Sequence, residues 1–429
     1  MPTKDQRATP RRRGSATAEG ERRWRPTDDT YSAIAALVGR VEEARPTLIG
    51  FPAATDFVDF TLLTHLVSGQ LLNNVGDPWE EGIYPNHTKD MERGVVGILA
   101  DLLRAPADDR WGYVTTGATE GNLYALYLAR QLHPDAIVYH SSAAHYSVPK
   151  AVHLLGMQSI VVRANDTGEI DYSDLADQAR RHRDQPVAIV ATIGTTLTEA
   201  VDDVHRISTI LDAAGIQNRY VHADAALAGI PLALLDPAAR PGFDFADGAD
   251  SVIVSGHKFV GMPFTCGVVV VKRSLRSAAV ARSVAYIGGR DATITGSRNG
   301  HAPLLLWCAL DGHGTDGLRR RAEAARELAA YTQTKLARLG WESFRNPFAM
   351  TVVLKTPPAA VTERWPLPSA GGWSHIICMP GVKRSQIDRF IQELGDALRP
   401  QDTSKVLDLP RRVAGDPQRP AIPTTGKNP

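Results

Sequence analysis

In Ser255-Gly256-His257-Lys258 a lysine stands three residues after the end of the apolar run 251–255. A lysine at the end of a buried strand is costly as a free cation, and burial lowers its pKa. That suits an amine that must condense with a carbonyl to form an imine. Earlier in the chain, His222-Ala223-Asp224-Ala225-Ala226 places a carboxylate at another strand end, and the small Ala226 leaves room for a flat ring. Thr116-Gly117-Ala118-Thr119-Glu120-Gly121-Asn122 lies between a strand-like segment, Trp111–Thr115, and a helix. Its small residues let backbone N–H groups at a helix amino terminus approach a phosphate, and Thr119 adds a hydroxyl. Ala144-His145-Tyr146-Ser147 follows a fourth strand and offers an imidazole to stack on a ring.

Singly, each feature has an ordinary explanation: a surface His-Lys pair, a carboxylate capping the next helix, a common Gly-Thr turn, a hydrogen-bonded loop histidine. Together they stand in order at the carboxyl ends of predicted strands, where ligands of open α/β sheets bind. An amine for an imine, a carboxylate for a pyridine nitrogen, an imidazole for the ring face and a phosphate turn make up a pyridoxal 5′-phosphate (PLP) site.

The elements that must position these residues follow from hydrophobic periodicity. Near-continuous apolar runs predict strands at 136–140, 159–162, 187–193, 220–224, 251–255 and 267–272, as for strands covered on both faces. Helical patterns such as 121–132 and 203–214 lie between them, so the alternation predicts a mainly parallel sheet with helices on both sides. The loop around Gly261-Met262-Pro263 is too short for a crossover helix, so the last strand is expected to run antiparallel. A long amphipathic helix is expected over 315–338, then strands at 350–355 and 375–379 and a helix at 385–398. The expected organisation is a disordered basic tail (1–27), a helical amino-terminal arm (28–80), a large PLP-binding domain (81–313), a small α+β domain (314–400) and a loose tail (401–429).

Bulk properties narrow the function classes. The 429 residues carry 48 Lys+Arg against 47 Asp+Glu, so the near-neutral chain makes no electrostatic case for nucleic acid. Eight of the basic residues fall within 1–26 against three acids, a +5 segment that leaves about −4 on the remainder. Apart from Met1 and Trp24 that segment has no large apolar residue, and it reads as a solvated tail rather than a targeting peptide. Apolar runs are too short to span a bilayer. Cys266, Cys308 and Cys378 are widely separated without CxxC spacing, which argues against disulfides or a metal site and suits a reducing cytoplasm.

At these residues the chain resembles the group II PLP-dependent amino acid decarboxylases of fold type I, in particular the bacterial PLP-type histidine decarboxylases and the plant serine decarboxylases. The resemblance runs from about Gly50 to Leu398 and rests on strings such as NNVGDP (73–78), WGYVTTGATEGN (111–122), HADAALAG (222–229), SGHKFVG (255–261) and RDATITGSRNGHAPLLLW (290–307). It implies that Lys258 holds PLP as a Schiff base, Asp224 pairs with the pyridine nitrogen and His145 stacks on the ring. Ala118, Thr119 and Ser255 would hold the phosphate with His257 beside it, Ala226 would lie under the ring, and Thr195 or Thr196 would approach the ring hydroxyl. Ser297 and Arg298 would sit on a loop reaching the partner subunit's phosphate. Tyr286 would begin the segment that closes over the substrate and protonates Cα. The implied assembly is a homodimer acting on a small L-amino acid.

Substrate choice rests on fewer residues. In Gly50-Phe51-Pro52 and Asp59-Phe60, Phe51 and Phe60 stand where close relatives carry tyrosines, and the first of these positions, with Pro52 next to it, lies beside the substrate in the wider family. A missing phenol there tilts towards a less polar amino acid such as valine or leucine, against overall similarity that favours histidine, with serine and aromatic amino acids as further alternatives. Oxidative decarboxylation–deamination to an aldehyde is a rival outcome against which Tyr286 argues. A transaminase reading is weaker, because the chain shows no convincing matched Arg for a second carboxylate. A non-catalytic homologue would be free to lose Lys258, Asp224 or His145, and all three are present.

Overall fold

A computed structural model describes residues 26–276 and 282–399, so the expected tails, apart from Pro26 and Thr27, lie outside the described residues. The chain divides into two compact units, with the boundary after Thr47. The described part of the first centres on one helix, α1 (Asp28–Ala44), started by the Thr27 side chain, which accepts from the Thr30 N–H. Ile34, Leu37, Val38 and Val41 recur at helical spacing along it, yet none of its residues is buried.

The second unit begins with loop and two helices, α2 (Thr64–Gly69) and α3 (Lys89–Leu102). Seven strands follow: β1 (Arg110–Thr115), β2 (Ile137–Ser141), β3 (Ser159–Val162), β4 (Val187–Thr192), β5 (Arg219–Asp224), β6 (Ser251–Ser255) and β7 (Gly267–Lys272). They form one sheet in the order β1-β7-β6-β5-β4-β2-β3. β2 to β6 pair in parallel, and β7 runs antiparallel to both neighbours, as the short loop before it required. The crossovers carry α4 (Ala118–Leu132), α5 (Ser147–Leu155), α6 (Tyr172–Arg181), α7 (Val204–Ala213) and the short α8 (Gly229–Ala233).

Alternate residues of each strand feed opposite faces. Val187, Ile189 and Ala191 of β4 join one core while Ala188 and Val190 join the other. Because both faces are covered, the strands read as unbroken apolar runs.

A small hairpin, β8 (Arg282–Val284) with β9 (Gly289–Asp291), precedes α9 (His301–Arg338). Gly314 takes φ 59° and interrupts α9, so the sequence signal starting at 315 marks its second half. The carboxyl-terminal sheet has the order β10-β11-β13-β12, from β10 (Ser343–Phe344), β11 (Thr351–Lys355), β12 (Ser369–Ala370) and β13 (Trp373–Ile377). With α10 (Ala359–Thr362) and α11 (Arg384–Leu398) it closes a core around Trp365, Phe390 and Ile376. The architecture is α/β with the expected mainly parallel sheet, here of seven strands, a smaller β-rich carboxyl-terminal part and an amino-terminal helical segment.

Two contacts aim this frame at the site. Gly121 lets α4 press on β6, because a Cβ there would lie 2.3 Å from Ile253 Cδ1. Buried Glu199, in the loop after β4, accepts the backbone N–H groups of Met350 (3.1 Å) and Thr351 (2.8 Å), tying the second sheet to the first. Gly121→Ala is expected to cost about 1–3 kcal/mol by overpacking, despite the helix propensity gained. In urea unfolding, Ile253→Ala should then cost less in that background than alone, whereas additive effects would contradict the contact.

Candidate active site

The amino end of α4 arrives at the carboxyl edge of the sheet through a tightly tied turn. Thr115 Oγ1 donates to the Gly117 carbonyl (2.9 Å), and Glu120 accepts from the Thr116 N–H and hydroxyl (2.8 Å each). The N–H groups of Ala118 and Thr119 head the helix, where no preceding turn supplies a carbonyl. Gly267 on β7 is needed for this approach, since a Cβ there would sit 3.1 Å from the Ala118 nitrogen. The buried Ser255 Oγ has no hydrogen-bond partner and lines the same cavity. Open helix N–H groups beside an orphaned hydroxyl form a seat for an anion.

That cavity holds about 440 Å³. Ala118, Thr119, His145, Thr196, Asp224, Ala226, Ser255, His257, Lys258 and Pro52 all line it, so most of the sequence-derived set converges. Lys258 sits in the wide turn Gly256–Val260 after β6, and its carbonyl accepts from the Ala54 N–H (2.8 Å). Burial pushes its ammonium below the ordinary value, while the negative charges of Asp224 and Glu199 oppose the shift. Asp224 ends β5; its Oδ2 accepts from Asn122 Nδ2 (2.8 Å), while Oδ1 receives only a longer bond from the Ala226 N–H (3.3 Å). His145 Nδ1 lies 2.8 Å from Ser147 Oγ and accepts the Ser147 N–H (3.2 Å). Burial lowers the His145 pKa, Lys258 and Lys150 lower it further, and Asp224 opposes them. His257 Nδ1 lies 2.9 Å from the Cys266 carbonyl oxygen.

Five expected residues lie elsewhere. Thr195 is buried away from the cavity, bonded to Thr198 Oγ1 (2.8 Å) and to the Ala200 N–H (3.0 Å), so Thr196 is the threonine of the pair that reaches it. Phe51 is 55% exposed, because the loop tied at Ala54 turns Pro52 inward and Phe51 out. Arg298 departs from the expected reach towards a partner: its buried guanidinium pairs with Glu92, donates to the Gly76 carbonyl (3.1 Å) and stacks over Tyr113. Tyr286 and Ser297 line a separate cavity of about 370 Å³.

Sequence reasoning missed Thr116, Tyr146 and Thr265, together with Pro368, His375 and Ile377 from the carboxyl-terminal sheet region, all of which line the Lys258 cavity. Among the described residues no cluster of three or more His, Cys, Asp or Glu could hold a metal ion, and no helix is long and apolar enough to cross a membrane.

Residues 50–354 match the family model described as the pyridoxal-dependent decarboxylase conserved domain. The chain belongs to the pyridoxal-dependent decarboxylases. It is 43% identical to a histidine decarboxylase of Mesorhizobium japonicum over 363 residues, covering 85% of this chain and 97% of the relative. It is 40% identical to a histidine decarboxylase of Morganella morganii, covering 81% and 91%. Among solved structures, L-methionine decarboxylase of Streptomyces sp. 590 superposes with a TM-score of 0.78 at 26% identity, covering 86% of this chain and 95% of that one. This decarboxylase is therefore a PLP enzyme that converts an amino acid to an amine and CO₂.

The residues present fit the cofactor: an anion seat with an orphaned hydroxyl, a carboxylate with a weakly used oxygen, and a desolvated amine border one cavity. An amine attacks a carbonyl in its neutral form, so if Lys258 is the residue that holds PLP, its capture by the apoprotein should speed up as pH rises, with a midpoint below the ordinary 10.5. Asp224 favours the ammonium, so Asp224→Asn should move that midpoint lower still. Borohydride trapping and peptide mass mapping across pH would measure it; a midpoint at or above 10.5 would contradict the desolvated amine.

Proposed function

We propose that this decarboxylase acts on L-histidine and releases histamine. One observation carries the substrate: the two bacterial relatives named for histidine match at 40–43% identity over more than nine-tenths of their own length. The reason for favouring a less polar amino acid weakens, because neither Phe51 nor Phe60 lines the cavity within the chain. The walls combine the apolar Pro52, Leu227, Pro368 and Ile377 with the polar edges of Tyr146, Thr196 and His375, which suits a flat polar side chain.

The residues take these roles. Lys258 is the amine that would hold the cofactor. The amino end of α4 at Ala118 and Thr119, with Ser255 and His257, holds the phosphate. Asp224 Oδ1 would pair with the pyridine nitrogen, His145 would cover the ring, Ala226 would leave space for it, and Thr196 would serve the ring hydroxyl. PLP, when bound, supplies an electron sink for the pair left at Cα as CO₂ departs.

A homodimer completes the reading, with Tyr286 and Ser297 directed at the partner's cavity. It is supported by the exposure of Tyr286 and of Leu62, Leu71, Ile83 and Tyr84, apolar side chains that a second copy would cover. The unpaired Cys266, Cys308 and Cys378 favour a reducing compartment such as the cytoplasm.

The test is turnover by the purified holoenzyme across the L-amino acids. L-Histidine should give equal CO₂ and histamine at the highest kcat/KM, and Lys258→Ala should lose roughly 10³-fold or more. Faster turnover of another amino acid would overturn the substrate, and aldehyde in place of amine would overturn the outcome. Sedimentation equilibrium should return twice the chain mass.

A further inference from the structure

Beneath the cavity floor runs a string of fully buried polar side chains that touch neither solvent nor cavity: Ser251, His222 and Asn122, joined to Ser147. His222 Nδ1 lies 2.7 Å from Ser251 Oγ, and His222 Nε2 lies 2.9 Å from Asn122 Oδ1. Asn122 Nδ2 reaches both Asp224 Oδ2 and Ser147 Oγ at 2.8 Å. Ser147 Oγ in turn meets His145 Nδ1.

Only one set of proton directions satisfies every member. A carboxylate only accepts, so the amide nitrogen of Asn122 must face Asp224, and its oxygen must face His222. That oxygen requires a proton on His222 Nε2. Burial drops the His222 pKa to about 4, so the ring is neutral and Nδ1 accepts from the Ser251 hydroxyl. The second Asn122 N–H is given to Ser147 Oγ, which leaves the Ser147 hydroxyl proton for His145 Nδ1. The Ser147 backbone N–H, which can only donate, points at the same nitrogen. His145 therefore carries its proton on Nε2.

We propose that Asn122, oriented by the His222–Ser251 pair, is a positioning residue that sets two cofactor contacts at once. One N–H holds the Asp224 carboxylate in the orientation that leaves Oδ1 free. The other, through Ser147, selects the Nε2–H form of His145, so the cavity receives a neutral imidazole that donates to an oxygen acceptor. The inference rests on the roles given above to Asp224 and His145 and is independent of which amino acid is the substrate.

The test needs no turnover. In long-range ¹H–¹⁵N spectra of the histidine-labelled apoprotein, His145 and His222 should each appear as a neutral Nε2–H tautomer. Asn122→Asp is isosteric but replaces both N–H donors with lone pairs. It should raise the PLP Kd about tenfold or more, as for a lost hydrogen bond to a charged group, and move the His145 titration midpoint upward. His222→Leu should weaken PLP similarly, while His222→Gln, which still offers an N–H to Asn122 Oδ1, should stay within about threefold of wild type. An Nδ1–H His145, wild-type PLP binding by Asn122→Asp, or equal effects of Leu and Gln at position 222 would each overturn the proposal. If Asn122→Asp does not fold, the tautomer spectra and the position-222 pair still decide. Asp224→Ala run alongside separates the failures: unchanged PLP binding there would remove the role of Asp224 itself.

Discussion

An amine and a carboxylate must share one cavity without collapsing onto each other, and the rest of this structure serves that separation. Burial lowers the Lys258 pKa and the Asp224 charge only partly opposes that fall, and the two side chains border one cavity. A direct pair would occupy the Asp224 oxygen and the Lys258 nitrogen to which the proposed cofactor contacts are assigned. The parallel sheet supplies the spacing. β5 and β6 are hydrogen-bonded neighbours, so the Asp at the end of one and the turn after the other open towards the same edge.

Holding the carboxylate back takes a donor that never competes with the cofactor, and Asn122 has that geometry. It sits one turn into α4, behind Ala118 and Thr119, so one helix carries both the proposed phosphate seat and the contact to the Asp224 carboxylate. The close approach permitted at Gly121 sets how deeply that turn sinks against β6. Packing and electrostatics are therefore one design here: a helix displaced by one methyl group would move the seat and the amide in concert.

The carboxyl-terminal sheet contributes the wall rather than the chemistry. Glu199, buried and bonded to the start of β11, fastens this sheet beside the cavity, where Pro368, His375 and Ile377 bound it. Such a wall, built from a different part of the chain than the cofactor contacts, is where substrate preference can change while the fold and the reacting groups stay in place.

Much of this was legible in the residue string. Strands covered on both faces betray themselves as unbroken apolar runs, and the short loop before β7 dictated its antiparallel direction. The order of Thr119, His145, Asp224 and Lys258 along the chain, each after a strand, was enough to bring them to one edge, because parallel strands put all their carboxyl ends together. Tertiary structure alone decided the rest. Asn122 and Asp224 are 102 residues apart, and no periodicity records which lone pair meets which proton across that distance. The same holds where expectation and structure part. Arg298 is claimed by Glu92, 206 positions away, and Phe51 faces outward because a backbone bond to the Lys258 turn sets the loop's direction. Local sequence specifies what each element is and which chemistry it carries; long-range contacts specify which atoms remain free to use it.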